Sequence, residues 1–414
     1  MLTKEELLAK AKLPAEEAMK LHPFFRGKVQ TAPKAAIRSF DDFAIWYSPG
    51  VAAPCRDIHA QPDRVFEHTN KGNTDAVPIC LDTKDPYRVM LAVKLIQPSF
   101  GGINLEDISQ PKCFRVLDML RTDPEVRIPV WHDDQQGTAT VLLAGVLNAL
   151  KIVGKKLEEI KVSLIGTGSA NVATLRLLIA SGVQWGSIYA CDSQGLLHPD
   201  RKDIEARKIE FVDKWRICQN SNAEGRRGGI AEAMRATDVC IALSKPGPGV
   251  ILPEWVAAMN EDAILFPAAN PIPEIWPWEA KEAGARIVGT GRSDFANQVN
   301  NSLVFPAIFR GVLDVQATTI TDDMAIAAAQ EIARYSEERG IHEDDIMPSM
   351  DEWELFPRQA VAVALKAQEQ GVARLDLSRE QLYAMADAKI RQARDMVQIL
   401  MENEIIPPIP AELT

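Results

Sequence analysis

The sequence predicts an α/β protein, and three observations carry that prediction. Apolar strand-like runs alternate with amphipathic helical runs from about Val77 onward; a glycine-rich turn joins a strand to a helix at Gly166; and mostly helical segments follow Pro306. Alternation of this kind calls for parallel strands joined by crossover helices, because only a crossover returns the chain to the same edge of a sheet. At 414 residues the chain is long for one core, and three segments are expected: 1–136 as an N-terminal α/β lobe, 137–315 as a doubly wound, Rossmann-like unit, and 316–414 as helices packing back on the first lobe.

Residues 1–46 read as a helical arm followed by Pro-punctuated chain. The first lobe then runs AVPICLD (strand), PYRVMLAVKLI (helix), GGINLED (strand), KCFRVLDMLRTD (helix) and VRIPVWHDD (strand). A long apolar helix, GTATVLLAGVLNALKIV, connects to a second series: KVSLIGTG, TLRLLIASG, SIYACD, GIAEAMRAT, DVCIALS, PEWVAAMN, AILFPAAN, PWEAKEAG and RIVGTG. Ser378 with Gln381 three residues on is a capping-box arrangement opening the last helix, and the IIPPIP tail cannot continue it because proline has no N–H.

Composition narrows the classes. The chain is 46% hydrophobic and 25% charged, with a formal net charge of −11 and a pI near 5.2. It offers no basic footprint for nucleic acid or an anionic membrane. The N-terminus lacks the uninterrupted apolar region of a signal peptide, and no stretch is expected to reach the length needed to span a bilayer. Cys55, Cys80, Cys113, Cys191, Cys218 and Cys240 form no C-x-x-C pair, which reads as reduced thiols and a cytoplasmic chain.

Two regions carry chemistry. Gly166-Thr167-Gly168-Ser169-Ala170-Asn171 follows a strand and opens a helix, the context in which glycines allow a tight turn and let pyrophosphate approach backbone N–H groups. Asn171 stands where the third glycine is usual, which spaces helix and strand slightly farther apart. Asp192, ending the next strand, is placed to take ribose hydroxyls; with no arginine immediately beside it, NAD is favoured over NADP. The second region is two acidic pairs, Glu106-Asp107 and Asp133-Asp134, each at the end of a strand. Facing carboxylates repel unless a cation or proton lies between them, and oxygen-only donors suit Mg2+ or Mn2+. A divalent metal beside a dinucleotide points to a metal-assisted dehydrogenase.

The motifs WYSPGVAAPC, NKGN, PICLDTKDP, FGGINLEDI, HDDQQGTA, ANPIPE and GRSDFANQVNNSLVFPAIFRG stand in the order and character of the malic enzymes, and the resemblance runs over nearly the whole chain. It implies oxidative decarboxylation of L-malate, or a related 2-hydroxy acid, with NAD or NADP and Mg2+ or Mn2+, in a homodimer or a multiple of one. It also implies roles for single residues: Glu106, Asp107 and Asp134 as metal ligands, Asp133 supporting them, and Tyr47 as the acid that protonates the enolate. Asn270 and Asn301 hold malate and the nicotinamide, while Gly166, Gly168, Ser169, Ala170 and Asp192 hold the rest of the dinucleotide. The sequence departs from the family after NKGN. There Asn73 is followed by Thr74-Asp75 and then directly by AVPICLD, without the stretch that ends in G-x-P-V-x-x-G-K and supplies the family's general-base lysine. Lys71 and Lys84 are the nearby lysines that remain. The alternative is a nucleotide-binding paralogue of the same fold with impaired or altered catalysis.

Overall fold

The computed structural model of the chain describes residues 4–25, 52–69, 71 and 76–408. By contact it divides into two compact units, Met1–Thr69 with Asp387–Thr414, and Asn70–Ala386. In the first, α1 (Lys4–Phe25) is helical, as the charge-and-Leu spacing predicts, and α2 (Ala52–Ala60) is a second helix that the sequence reading did not single out. Asp57 on α2 accepts from His68 Nε2 at 2.6 Å and pairs with Arg64 Nε at 3.1 Å.

The second unit opens with a departure from the sequence reading. AVPICLD is not a strand: residues 76–85 lie outside every described helix and strand, and within them Thr83 N donates to Leu81 O. Val77, Ile79 and Leu81 are exposed. Alternating apolar side chains favour an extended backbone, but a strand also needs a neighbour to accept its N–H groups, and among the described residues none pairs with this run.

From Asp85 the two agree. Asp85 caps α3 (Pro86–Ile96) by accepting from Tyr87 N at 2.9 Å, with Pro86 at the first position where no N–H is needed. Strand β1 (Ile103–Leu105), helix α4 (Lys112–Thr122) and strand β2 (Val130–His132) follow. The strands pair in parallel with Leu105 opposite His132. Val93, Leu105, Val116, Leu117, Leu120 and Val130 close a small core over this pair. That register decides the site, because it sets the residues after Leu105 beside those after His132.

A five-residue π-helical turn, Asp133–Gly137, leads into α5 (Thr138–Val153). By length and composition residues 133–153 are apolar enough to cross a bilayer, contrary to the sequence reading, yet 72% of their most apolar window is buried inside the fold. They form a core helix, with α6 (Ser169–Ala180) and α7 (Asp322–Arg339) packed on it. A helix apolar all round is what such a position requires.

The main sheet has six strands in the order β5-β4-β3-β6-β7-β8: β3 (Val162–Ile165), β4 (Ile188–Asp192), β5 (Gly195–Leu196), β6 (Val239–Ala242), β7 (Ala263–Pro267) and β8 (Ala285–Val288). All neighbours are parallel except the edge strand β5. The first strand therefore lies inside the sheet; the chain builds outward on one side, then crosses to β6 on the other. This is the doubly wound, Rossmann-like order, whose ligands bind outside the carboxyl ends of β3 and β6 where the winding reverses. The helix Phe305–Asp314, α7 and the helix Leu355–Glu369 complete the unit. The expected box at the last helix, Arg379–Glu402, is present: Ser378 N donates to Gln381 Oε1 at 2.9 Å, and Gln381 N to Ser378 Oγ at 3.3 Å. All six cysteines are free thiols, Cys55 and Cys80 exposed and the others buried.

Candidate active site

The turn after β3 is built for close approach. Gly166 has φ +89, a region an L side chain resists, and a Cβ there would fall 2.5 Å from Leu243 O. Beside Gly168, by contrast, a Cβ would meet nothing within 4 Å, so the turn opens on free space. Gly168 caps α6 without any side-chain hydrogen bond, which leaves the first N–H groups of a twelve-residue helix pointing out past Ser169 and Ala170. Thr167 is buried with its Oγ1 unpartnered. Backbone donors, a helix N-terminus and an open cradle fit a pyrophosphate.

Asn171 holds the helix to the turn: it is buried, and its Nδ2 donates to Ile165 O at 3.0 Å and Gly166 O at 2.8 Å. Asp192 ends β4 as expected but has a cation against it. Arg201, nine residues on, meets Oδ1 at 3.1 Å and Oδ2 at 3.2 Å, and Lys214 reaches Oδ2 at 3.5 Å. Sequence adjacency missed this pair because the chain turns back through β5 before Arg201.

Across the switch point a buried carboxylate organises the loops. Glu274 accepts from Ser244 N (2.8 Å) and Oγ (3.1 Å) after β6, and from Ala269 N (3.1 Å) after β7. Burial raises its pKa while those donors pull it down. Asn270 follows directly, and a Cβ on Gly291 would come within 3.0 Å of its Oδ1. Asn300 Nδ2 donates to Gly291 O at 3.3 Å, linking the Asn301 loop to the same place.

The acidic pairs converge at the ends of β1 and β2. Asp107 adopts φ +56, unusual for a side-chain-bearing residue, and its N–H donates to Asp134 Oδ2 at 2.9 Å. Asp133 is 2% exposed; Trp131 Nε1 donates to its Oδ1 at 3.0 Å and Asn301 Nδ2 to its Oδ2 at 2.6 Å. Gly137 permits this, since a Cβ there would stand 1.9 Å from Asp133 Oδ1. Asn301, from the loop beyond β8, thus meets the acids from the smaller sheet. Burial pushes Asp133 up to about 7, with repulsion from Glu106 and Asp134 adding to it. Glu106 is raised by burial and then by Asp134, opposed by the amide of Asn104 at 2.7 Å. His132 is fully buried with neither ring nitrogen hydrogen-bonded, 3.6 Å from Asp134 Oδ2, and burial lowers its pKa.

Among the described residues no lysine or arginine pairs with these four acids, and no three ligating side chains are already gathered at metal spacing. Acidic side chains crowded at the ends of two neighbouring strands, with no protein cation between them, are of the chemistry that suits a hard divalent ion, and Glu106, Asp107 and Asp134 are the residues that could hold one. Tyr47 lies outside the described residues. Lys71 Nζ donates to Gln97 O at 2.7 Å and Phe100 O at 2.8 Å, with Pro98 O at 3.5 Å, so its ammonium is bound to backbone. Lys84 is exposed.

Similarity to known proteins agrees with this geometry. The family described as malic enzyme, NAD binding domain, matches residues 135–369. The chain belongs to the malic enzyme family. It is 40% identical to the NAD-dependent malic enzyme of Geobacillus stearothermophilus over 84% of this chain and 78% of that one. It is 34% identical to the NADP-dependent malic enzyme of Escherichia coli K12 over 86% of this chain and 53% of that one. The crystal structure of Entamoeba histolytica malic enzyme superposes with a TM-score of 0.96 at 43% identity, covering 100% of this chain and 94% of that one. The family places the chain among NAD- or NADP-dependent oxidoreductases acting on a small molecule.

Proposed function

We propose that the chain carries out the malic enzyme reaction: L-malate, or a close 2-hydroxy acid, is oxidised and decarboxylated to pyruvate and CO2 with NAD(P)+ as hydride acceptor. The observation that supports this best is Asn301, on the loop beyond β8, donating to Asp133 among the acids at the ends of β1 and β2, which would join the metal side of the site to the dinucleotide side. Mg2+ or Mn2+ held by Glu106, Asp107 and Asp134 would supply Lewis-acid polarisation of the substrate oxygens. The chain's own groups do the rest. Gly166, Gly168, Ser169 and Ala170 seat the pyrophosphate, and Asp192 takes the ribose. Asn270 and Asn301 orient malate against the nicotinamide, with Asn301 fixed by Asp133 and Asp133 fixed by Trp131. Hydride leaves C2 for the nicotinamide while the C2 hydroxyl proton passes to water, the C3–C4 bond breaks to release CO2 with its electron pair left on the enolate, and Tyr47 gives its proton to C3 of that enolate. The same proposal includes the homodimer, the cytoplasmic setting and the three-part division at 136/137 and 315/316.

A second reading, a nucleotide-binding paralogue with impaired catalysis, is favoured by one observation. The alignment with the Geobacillus enzyme is 388 residues long yet takes up only 84% of this 414-residue chain, so a few tens of that relative's positions face gaps here. A gap after Asn73 would remove the base lysine, and Lys71, its ammonium held by backbone carbonyls, would have to leave them to take its place. Loss of a general base costs on the order of 10²- to 10⁴-fold. Purified protein with Mn2+, malate and NAD+ or NADP+ is expected to form reduced nucleotide slowly, and Asp134→Asn and Tyr47→Phe to abolish it. No reduced nucleotide, with Tyr47→Phe indistinguishable, sinks the enzyme reading. Calorimetric binding of nucleotide without turnover then supports the paralogue.

A further inference from the structure

We infer that Arg201 is a positioning residue that fixes Asp192 for an adenosine ribose hydroxyl and so sets the chain's preference for NAD over the 2′-phosphorylated dinucleotide; this rests on the dinucleotide site proposed above. The argument is a count of donors. Arg201 is 8% exposed, and a guanidinium has five N–H groups. Its Nε donates to Asp203 Oδ1 at 2.8 Å. Its Nη1 serves Asp192 Oδ1 at 3.1 Å and Gly195 O at 3.2 Å, and its Nη2 serves Asp192 Oδ2 at 3.2 Å and Asp203 Oδ2 at 2.7 Å. All five are spent inside the protein. An arginine that takes a 2′-phosphate must present donors outward, and here each one would first have to leave a carboxylate or a carbonyl.

What the clamp achieves is the orientation of Asp192. Two parallel N–H···O bonds fix the carboxylate plane, Gln194 N holds Oδ1 at 2.9 Å, and Oδ2 is left with only the longer 3.5 Å approach of Lys214 beyond the clamp. Oδ2 therefore keeps acceptor capacity for a hydroxyl. A phosphate in that place would meet a fixed negative charge. Asp203, 55% exposed, is the outer jaw that keeps the guanidinium turned inward, and Arg201 in turn holds its carboxyl down at about 2.

Fluorescence titration of the full chain with NADH and NADPH tests this, with thermal melting as the fold control. Wild type is expected to bind NADH roughly tenfold or more tighter than NADPH. Arg201→Lys, a point charge that cannot grip both oxygens, is expected to lower that ratio several-fold, chiefly by weakening NADH. Asp203→Asn, at an exposed position, frees guanidinium donors and is expected to lower the ratio by strengthening NADPH; it serves if the lysine variant does not fold. Equal affinities in wild type, loss of NADPH binding alone in Arg201→Lys, or an unchanged ratio in both variants overturns the inference. Failure of wild type to bind either dinucleotide removes the site itself, a result distinct from binding both equally.

Discussion

The two parallel sheets follow one sequence pattern to different degrees of completion. In the six-stranded sheet every strand from β3 to β8 has its ladder partners, and Leu164, Ile241 and Leu265 are sealed between helices. Among the described residues the smaller sheet pairs only β1 with β2, and the strand-like run that precedes them leaves Val77 60% and Ile79 48% exposed. AVPICLD is as apolar and as β-branched as DVCIALS. The difference teaches that a strand-like run is half of a strand, and that the other half is a neighbour the rest of the chain must place.

Substitutions can break that contrast. Leu164→Ala in β3 is expected to cost about 2–5 kcal/mol in chemical denaturation, the usual range for a buried leucine. Asn171→Ala should cost about 1–3 kcal/mol, since it removes two hydrogen bonds and leaves buried carbonyls behind, and should weaken dinucleotide binding by loosening the turn. Metal binding sharpens the view of the smaller sheet. Asp133 is held at about 7 against an ordinary 3.8, so the metal-free fold binds the extra proton and loses stability as pH rises from about 4 through 7. Mn2+ held by Glu106, Asp107 and Asp134 would favour the ionised form of the neighbouring Asp133, so the rise in Tm on adding Mn2+ should be larger at pH 8 than at pH 6, by up to roughly tenfold in affinity per pH unit. An equal rise at both pH values counts against an ion among these acids. Smallest of all, Leu81→Ser should change stability by less than about 0.5 kcal/mol. A loss matching that of Leu164→Ala would mean residues 76–82 are packed after all.

Much of this was legible in advance. The glycine turn, the acids at strand ends and the capping box at Ser378 are local patterns whose geometry follows from a few consecutive residues. Legibility failed wherever a residue's role depends on a distant partner. Arg201 lies in HPDRKDI, an ordinary polar loop until the antiparallel return of β5 brings it to Asp192. Glu274 lies in a proline-rich turn, and nothing local shows that it ties the loops after β6 and β7 together. Trp131 reads as one more apolar strand residue, although its indole N–H holds Asp133.

The order of elements from Asp85 onward, the turn at Gly166 and the family were settled by sequence, because backbone preference, hydrophobic period and motif order are properties of neighbours along the chain. The pairing of Leu105 with His132, the meeting of Asn301 with Asp133, the clamp on Asp192 and the unpaired state of residues 76–82 were decided only in three dimensions. The physical reason is that hydrogen bonds and charge interactions act over a few ångströms of space, whatever the number of residues between the groups that make them.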